Sequence, residues 1–302
     1  MNTPKILKII RLHIVIGGFL AFLVGALLAL AGNATFVFSK FILGYIVVFL
    51  ADLSTHFGND YFDVEVDKHV ISRKSFSGSN ILVYNPNLRI LSKSISIVLL
   101  LASNFLAIMS VFFVGLSIEF FIIIFVASII GWFYSAPPIR LVSRGLGELA
   151  VAFVTGFAIP SLGYLSIKGQ LDLMLIVLTI PFMMYGLALS LSLHIPDIEF
   201  DKKGYKKNLT VRLGQRKIIF LTLTLMILAT LAFGIISILN ISTINFSVFP
   251  LFSIIPLITA VIGFVEFSRN KEVNYISTLN IIALFFFNIL VIVFLLVQIF
   301  GK

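Results

Sequence analysis

Nine runs of about twenty apolar residues divide this chain of 302 residues and restrict what it can fold into. A helix of that length crosses the ~30 Å hydrocarbon core of a bilayer while it pairs its own backbone polar groups. The sequence therefore predicts a single domain, 1–302, of the all-α integral membrane class. The nine predicted spans are 12–32, 37–58, 92–115, 118–134, 145–166, 172–194, 217–239, 247–268 and 275–300.

The composition supports this class and excludes several others. With 60% hydrophobic and 12% charged residues, the chain carries more apolar surface than one soluble core can bury. The formal net charge of +9 is explained by basic loops at lipid head groups, so membrane lipids and not nucleic acid are the expected partners. The sequence has no cysteine, which excludes disulfides, thiolate zinc sites and cysteine nucleophiles.

The basic residues predict how the spans are oriented. Of the 22 Lys and Arg, all but Lys40, Lys168 and Lys302 lie before the first span or after an even-numbered one, so nineteen share one side. Lys and Arg accumulate in cytoplasmic loops. The sequence thus predicts a multi-pass protein of the cell membrane, with its N-terminus in the cytoplasm and its C-terminus outside.

The acids are concentrated as strongly as the bases. Seven of the thirteen Asp and Glu fall in two short segments, 59–67 and 197–201, and each segment follows an apolar run. Four complete spans separate the two segments. We therefore expect both on the cytoplasmic side of the membrane.

The spacing of these acids predicts a magnesium site. Asn59, Asp63 and Asp67 recur at i, i+4 and i+8, so a helix would project all three from one face, and Asp197 and Asp201 repeat the interval. Carboxylate and amide oxygens without cysteine suit Mg²⁺, which usually binds one or two carboxylates together with substrate phosphates. Two facing groups of this kind would hold two or three ions around a diphosphate.

Basic side chains follow each acidic segment and would take the remaining negative charge of a diphosphate. They are Arg73, Lys74, Lys202, Lys203, Lys206 and Lys207. An anion-binding mouth above a bundle of apolar helices suits a substrate with a diphosphate head and a long apolar tail.

Three motifs together resemble the UbiA superfamily of intramembrane prenyltransferases. The segment Asn59-Asp60-x-x-Asp63-x-x-x-Asp67 resembles the first Asp-rich motif of that family, and Asp197-x-x-x-Asp201 resembles the second. The segment Tyr134-Ser135-Ala136-Pro137-Pro138 resembles its Tyr-Ser-x-Pro-Pro element. The resemblance covers nearly the whole chain, because the number of spans between the motifs also agrees.

The resemblance implies an architecture and a set of roles. The nine helices would surround a central cavity beneath a small cytoplasmic cap formed by segments of about 60–91, 135–144 and 195–216. The implied magnesium ligands, for two or more ions, are Asn59, Asp63, Asp197 and Asp201. The implied catalytic residues are Asp60, Asp67, Tyr134, Ser135 and Arg140. The expected substrate-binding residues are Asn59, Arg73, Lys74, His194, Lys206 and Lys207.

Three further assignments stay open at this point. Arg11 is either a ligand of the substrate head group or an ordinary cytoplasmic cation. Asp52, inside the second span, is expected to line the lower part of the site, because a charge at that depth needs a partner or a wet cavity. Either Asp67 or Asp197 would act as the base for an acceptor hydroxyl.

The resemblance leaves two acceptors open. The segment 145–148, Gly-Leu-Gly-Glu, resembles the 1,4-dihydroxy-2-naphthoate branch and favours an aromatic quinone precursor, although His194 and Asn208 depart from that branch. The alternative is geranylgeranylglyceryl phosphate, whose enzymes carry prolines after the first motif where 68–78 has none. A secondary transporter is the alternative outside the enzymes, but the acids here lie at helix ends and not at mid-membrane.

Overall fold

A computed structural model describes residues 5–68, 79–204, 206–239, 241–242, 244–269 and 274–301. All regular secondary structure in these ranges is helical, and nine of the helices are long and apolar enough to cross a membrane. The all-α membrane class with nine transmembrane helices is therefore confirmed.

The nine helices follow the predicted spans closely, and we number them in chain order. They are α1 (Leu12–Ala31), α2 (Phe38–Phe62), α3 (Arg89–Val114), α4 (Ile118–Ser135), α5 (Gly147–Lys168), α6 (Leu173–His194), α7 (Leu209–Ile238), α8 (Phe249–Ser268) and α9 (Asn274–Phe300). Within α5, residues Val154–Ala158 form a π-helical segment.

The largest difference from the predicted spans is at the start of α7, which begins at Leu209 and not at residue 217. Asn208 caps this helix, because its side-chain oxygen accepts a hydrogen bond from the backbone N–H of Val211 at 2.8 Å. Gly214, at φ 77°, interrupts the helix, and the apolar span follows it. The prediction from hydropathy missed the first turns because they carry Arg212 and Arg216 and are not apolar.

Helices α1 and α5 approach each other closely through two glycines. A Cβ atom added at Gly25 would lie 1.8 Å from the carbonyl oxygen of Pro160, and one at Gly163 would lie 1.9 Å from that of Phe22. Small residues at such crossings let two backbones come into contact without lipid or side chains between them. The α1–α5 pair is therefore a closely packed wall of the bundle.

The helices enclose a cavity, and six of the nine line it with described residues. Residues of α1, α2, α4, α5, α6 and α9 line it. Among the described residues, α3, α7 and α8 contribute no lining side chain and pack on the outside of the other six. Helix α3, for example, is attached to α2 by serine hydroxyls that donate to α2 carbonyl oxygens, including Ser92 to Phe57 and Ser103 to Val47.

Short helical segments form a cap over one end of the bundle. They include the turn Lys5–Ile9 and the helix Ile81–Tyr84, whose residues Ile9 and Leu82 are buried against Phe57 and Val64. This small apolar cluster fixes the end of α2, where the first acidic segment begins.

Candidate active site

The first acidic motif lies on two helical segments and not on one continuous helix. Helix α2 ends at Phe62, Asp63 adopts a non-helical conformation (φ −94°, ψ 4°), and a short helix follows at Val64–Asp67. The hydrogen bonds between residues four apart nevertheless continue, from Asp63 N–H to Asn59 and from Asp67 N–H to Asp63, both at 2.9 Å. Asn59, Asp63 and Asp67 therefore still line one cavity.

The second motif is also divided. Pro196 has no backbone N–H to donate to the preceding turn, so the α-helical hydrogen bonding of α6 ends at His194. A turn at Ile195–Asp197 and a short helix at Ile198–Lys203 follow. This arrangement brings Asp197 and Asp201 to the same cavity as the first motif.

Lys206 joins the two motifs. Its Nζ atom lies 3.1 Å from Asp63 Oδ2 and 3.8 Å from Asp201 Oδ1. Burial alone would lower the pKa of Lys206, but the two carboxylates outweigh burial and raise the pKa above its ordinary value. The acidic segments therefore lie at the same end of the bundle, close enough for one ammonium group to contact both.

One oxygen of Asp63 is available to a cation. Ser135 donates a hydrogen bond to Oδ2 at 3.3 Å, whereas the buried Oδ1 accepts no hydrogen bond from the described residues. The guanidinium Nη2 of Arg140 lies 3.9 Å from Oδ1. Ser135 is fully buried, so its contact with the site is through Asp63.

Two residues that the sequence did not single out as site residues support Asp201, one by direct contact and one through the start of α7. Asn208 donates from Nδ2 to Asp201 Oδ2 at 2.6 Å. Buried Glu148 accepts the backbone N–H of Leu209 at 2.8 Å and so fixes the first turn of α7 beside Asn208. Their only signals in the sequence were the Gly-Leu-Gly-Glu segment and the unusual residue type at position 208.

The donor set fits Mg²⁺ that binds together with a phosphate. Within the part of the chain that the structure describes, no three His, Cys, Asp or Glu side chains surround a common point. Magnesium, however, usually takes only one or two carboxylates and completes its octahedron with phosphate oxygens and water. The orphaned Oδ1 of Asp63 and the facing carboxylate of Asp201 are ligands of this kind.

Of the remaining candidate residues, some line the cavity and others do not. Tyr134 and His194 line the cavity, and His194 Nδ1 lies 2.8 Å from the carbonyl oxygen of Ser190. Lys207 is exposed and is absent from the lining, so Lys206 and not Lys207 meets the acids. Arg73 and Lys74 lie outside the described residues.

Asp60 does not line the cavity, unlike Asn59, Asp63 and Asp67 of the same motif. It is buried, forms an ion pair with Arg11 and accepts a hydrogen bond from Ser79. Burial would lower the pKa of Arg11, but Asp60 outweighs burial and raises it. Arg11 itself lines the cavity, so this pair attaches the segment before α1 to the end of α2.

Below these polar groups the cavity becomes apolar. Its volume is about 370 Å³, and the lining residues far from the mouth include Val24, Pro160 and Phe182. From His194 to Phe182 is twelve residues of α6, or roughly 18 Å along the helix. A polar mouth above an apolar chamber fits a molecule with a charged head and a hydrocarbon tail.

Comparisons with known proteins agree with this geometry. Residues 19–290 match the model of the UbiA prenyltransferase family. A digeranylgeranylglyceryl phosphate synthase from Sulfurisphaera tokodaii is 25% identical over 229 residues, which cover 76% of each chain. A 1,4-dihydroxy-2-naphthoate octaprenyltransferase from Bacillus subtilis is 29% identical over 87 residues, which cover 29% of this chain and 28% of the relative.

Solved structures show the same fold. A UbiA homologue from Archaeoglobus fulgidus bound to DMAPP and Mg²⁺ matches 98% of this chain and 99% of its own, with a TM-score of 0.74 and 20% identity. The same homologue bound to GPP and Mg²⁺ matches with a TM-score of 0.72. The chain therefore belongs to the UbiA prenyltransferase family and is a membrane prenyltransferase.

Proposed function

We propose that this protein binds a polyprenyl diphosphate with Mg²⁺ and transfers the prenyl group to an amphiphilic acceptor with a hydroxyl group. The observation that carries the proposal is the pair of facing carboxylates, Asp63 and Asp201, with Lys206 between them at the mouth of an apolar cavity. The Archaeoglobus fulgidus homologue, which binds GPP or DMAPP with Mg²⁺, supports the choice of donor and metal.

The residues at the mouth would bind the diphosphate head. Asn59, Asp63, Asp197 and Asp201 would hold magnesium, which when bound would neutralise the diphosphate and stabilise its departure. Lys206 and Arg140, both within 4 Å of Asp63, supply positive charge for the remaining phosphate oxygens. Ser135 orients Asp63, and Asn208 orients Asp201.

The chamber below would hold the tail and protect the allylic cation. Its apolar lining keeps water from a cation that water would otherwise capture. Tyr134 and Phe285 are among the lining residues and offer aromatic rings to a positive charge. The reaction then needs an acceptor that enters the same cavity.

We propose an aromatic quinone precursor of the 1,4-dihydroxy-2-naphthoate type as that acceptor. The segment 145–148 supports this choice because it resembles that branch, although Asn208, which Glu148 helps to position, departs from it. The Bacillus subtilis relative acts on this class of acceptor, although the match is limited to 87 residues.

Geranylgeranylglyceryl phosphate is a second candidate acceptor. The observation that favours it is the longer match to the synthase from Sulfurisphaera tokodaii, over 76% of each chain. Both candidates carry a hydroxyl and an anionic group, so the polar lining of the mouth suits either.

The charge distribution supports an orientation with the N-terminus and the site on the cytoplasmic side and the C-terminus outside. Together with the first turns of the helices that come next, the short segments after α2, α4 and α6 carry most of the Lys and Arg, and the acidic motifs lie at that end of the bundle.

A transfer assay tests the proposed function. Purified protein is incubated with radiolabelled geranylgeranyl diphosphate, Mg²⁺ and either acceptor, with and without EDTA. We expect label in the lipid product only with Mg²⁺, and a loss of about 100-fold or more in Asp63→Ala. Glu119→Gln, at the opposite end of α4, is the control and should retain activity. Full turnover by Asp63→Ala, or no transfer by the wild type, would overturn the proposal.

A further inference from the structure

A second polar group lines the cavity below the two acidic motifs. It consists of Asp52 and His56 on α2, with His13 on α1 facing the same space. Asp52 precedes Asn59 by seven residues of one helix, which places it roughly 10 Å deeper along the axis. A carboxylate at that depth is costly unless it is paired and faces a polar space, so its presence calls for a role.

His56 lies beside this carboxylate. The backbone N–H of Arg11 donates to His56 Nδ1 at 3.4 Å, so Nδ1 is an acceptor and the ring proton is on Nε2. Nε2 lies 3.5 Å from Asp52 Oδ1 but makes no hydrogen bond within the described residues. The N–H side of the imidazole therefore faces Asp52, while the other nitrogen already accepts a hydrogen bond.

The other oxygen of Asp52 faces the cavity. A Cβ atom added at Gly18 of α1, which also lines the cavity, would lie 3.8 Å from Asp52 Oδ2. Glycine at this position leaves the carboxylate accessible, and the Asp52 side chain keeps 18% of its surface exposed. Asp52 is therefore a hydrogen-bond acceptor that is supported on one side and open on the other.

Asp63 and Asp201 already have a task at the mouth of the cavity. Both contact Lys206, and in the proposed function both would hold Mg²⁺, so their oxygens are not open to an acceptor hydroxyl. Asp52 lies away from this cluster, and the proposed function leaves it without a task.

We propose that Asp52 binds the hydroxyl group of the acceptor and takes its proton as the prenyl group is transferred. This assignment rests on the proposed function. The acceptor O–H bond breaks and its proton passes to the Asp52 carboxylate. The released electron pair, from the oxygen or through the ring of a phenol, forms the new bond to C1 of the prenyl group. The C1–O bond breaks, and its electron pair leaves with the diphosphate.

His56 is a positioning residue in this scheme. Its Nε2–H side lies 3.5 Å from Asp52 Oδ1, so Oδ2 is the oxygen left on the side of the cavity for the acceptor. The acceptor thus lies between Asp52 in the α2 wall and the C1 atom of a donor whose head is held at the mouth.

The test compares two substitutions at Asp52 in the full-length protein, with geranylgeranyl diphosphate, Mg²⁺ and the acceptor that the wild type uses. Asp52→Asn keeps the shape and a hydrogen bond but cannot take a proton, so we expect kcat to fall about 100-fold while KM for the acceptor changes little. Asp52→Leu also loses the hydrogen bond, so KM for the acceptor should rise as well. Binding of geranylgeranyl thiodiphosphate, a donor analogue that does not react, should be unchanged in both variants.

Asp172→Asn is the matched control, because this acid lies at the opposite end of the bundle, where it caps α6 and pairs with Lys168. Its transfer rate should equal that of the wild type. The assignment is overturned if Asp52→Asn keeps more than a third of wild-type kcat, or if it loses donor binding together with transfer. A wild type that transfers to neither acceptor would instead overturn the proposed function and, with it, this assignment.

Discussion

Lys206 is the residue on which the geometry of the mouth depends most directly. Its ammonium group contacts a carboxylate from each acidic motif, and its side chain is only 11% exposed. Without it, Asp63 and Asp201 would face each other across a poorly solvated space with no cation between them. The adjacent Lys207 is exposed and offers a natural comparison.

We predict that Lys206→Met lowers kcat/KM for the prenyl diphosphate by about 100-fold, because a charge that stabilises the leaving group is lost at a buried position. Lys207→Met should change it less than threefold. Steady-state kinetics at saturating Mg²⁺ measure both values. Equal losses in the two variants would show that the lysines act only through the general charge of the segment.

The sequence predicted which acids belong together but not which lysine meets them. Spacing of four residues is a local property of helices, so Asn59, Asp63 and Asp67 were assigned to one face correctly. Whether Lys206 or Lys207 turns inward depends on the break after the helix Ile198–Lys203, which no periodicity records. The ion pair of Asp60 with Arg11 was not predicted for the same reason, because the two residues are 49 positions apart in sequence.

At the level of elements, the N-terminus of α7 supports the site from outside the cavity. Asn208 makes two hydrogen bonds there, as an acceptor from Val211 in the helix cap and as a donor to Asp201. One side chain therefore links the start of a helix to a candidate magnesium ligand. The two functions can be separated by substitution.

We predict that Asn208→Ala lowers the free energy of unfolding by about 1 kcal/mol through loss of the cap and also reduces turnover. Asn208→Ser keeps an oxygen for the cap but lacks the amide that reaches Asp201. It should unfold close to the wild-type temperature while its turnover falls about tenfold. Thermal unfolding in detergent and the transfer assay provide the two measurements, and a Ser variant with normal turnover would contradict the link.

The sequence predicted the bounds of a helix correctly where hydropathy alone sets them. It failed where polar contacts between distant residues set them. Hydropathy placed eight spans within a few residues of their helices, since crossing a bilayer requires about twenty apolar residues. The start of α7 depends on Asn208 and on Glu148, which lies 61 residues from the backbone group it binds. Such a contact exists only after α5 and α7 have packed.

At the level of the whole molecule, the close α1–α5 contact fixes the width of the cavity, because both helices line it. We predict that Gly163→Ala destabilises the protein by about 1–3 kcal/mol, since the new Cβ atom would overlap the Phe22 carbonyl unless the helices separate. Affinity for the prenyl diphosphate should fall as well.

Gly234→Ala is the control for this substitution. It lies within α7 and has no atom within 4 Å of the added Cβ, so it should stabilise the helix by about 0.5–1 kcal/mol. Melting temperatures of both variants, measured in the same detergent, test these two predictions. A Gly163→Ala protein as stable as the wild type would contradict the close contact between α1 and α5.

The helices outside the cavity and the helices that line it are expected to be under different selection, the former by the membrane and the latter by the substrates. Helices α3 and α8 are the least buried of the nine spans, and they meet lipid over most of their length. Adaptation to a thicker membrane or to different lipids can therefore change their sequences with little effect on chemistry. Adaptation to a longer prenyl tail or a new acceptor must instead change the six helices that line the cavity. Substitutions of these two kinds should therefore accumulate in different parts of the chain.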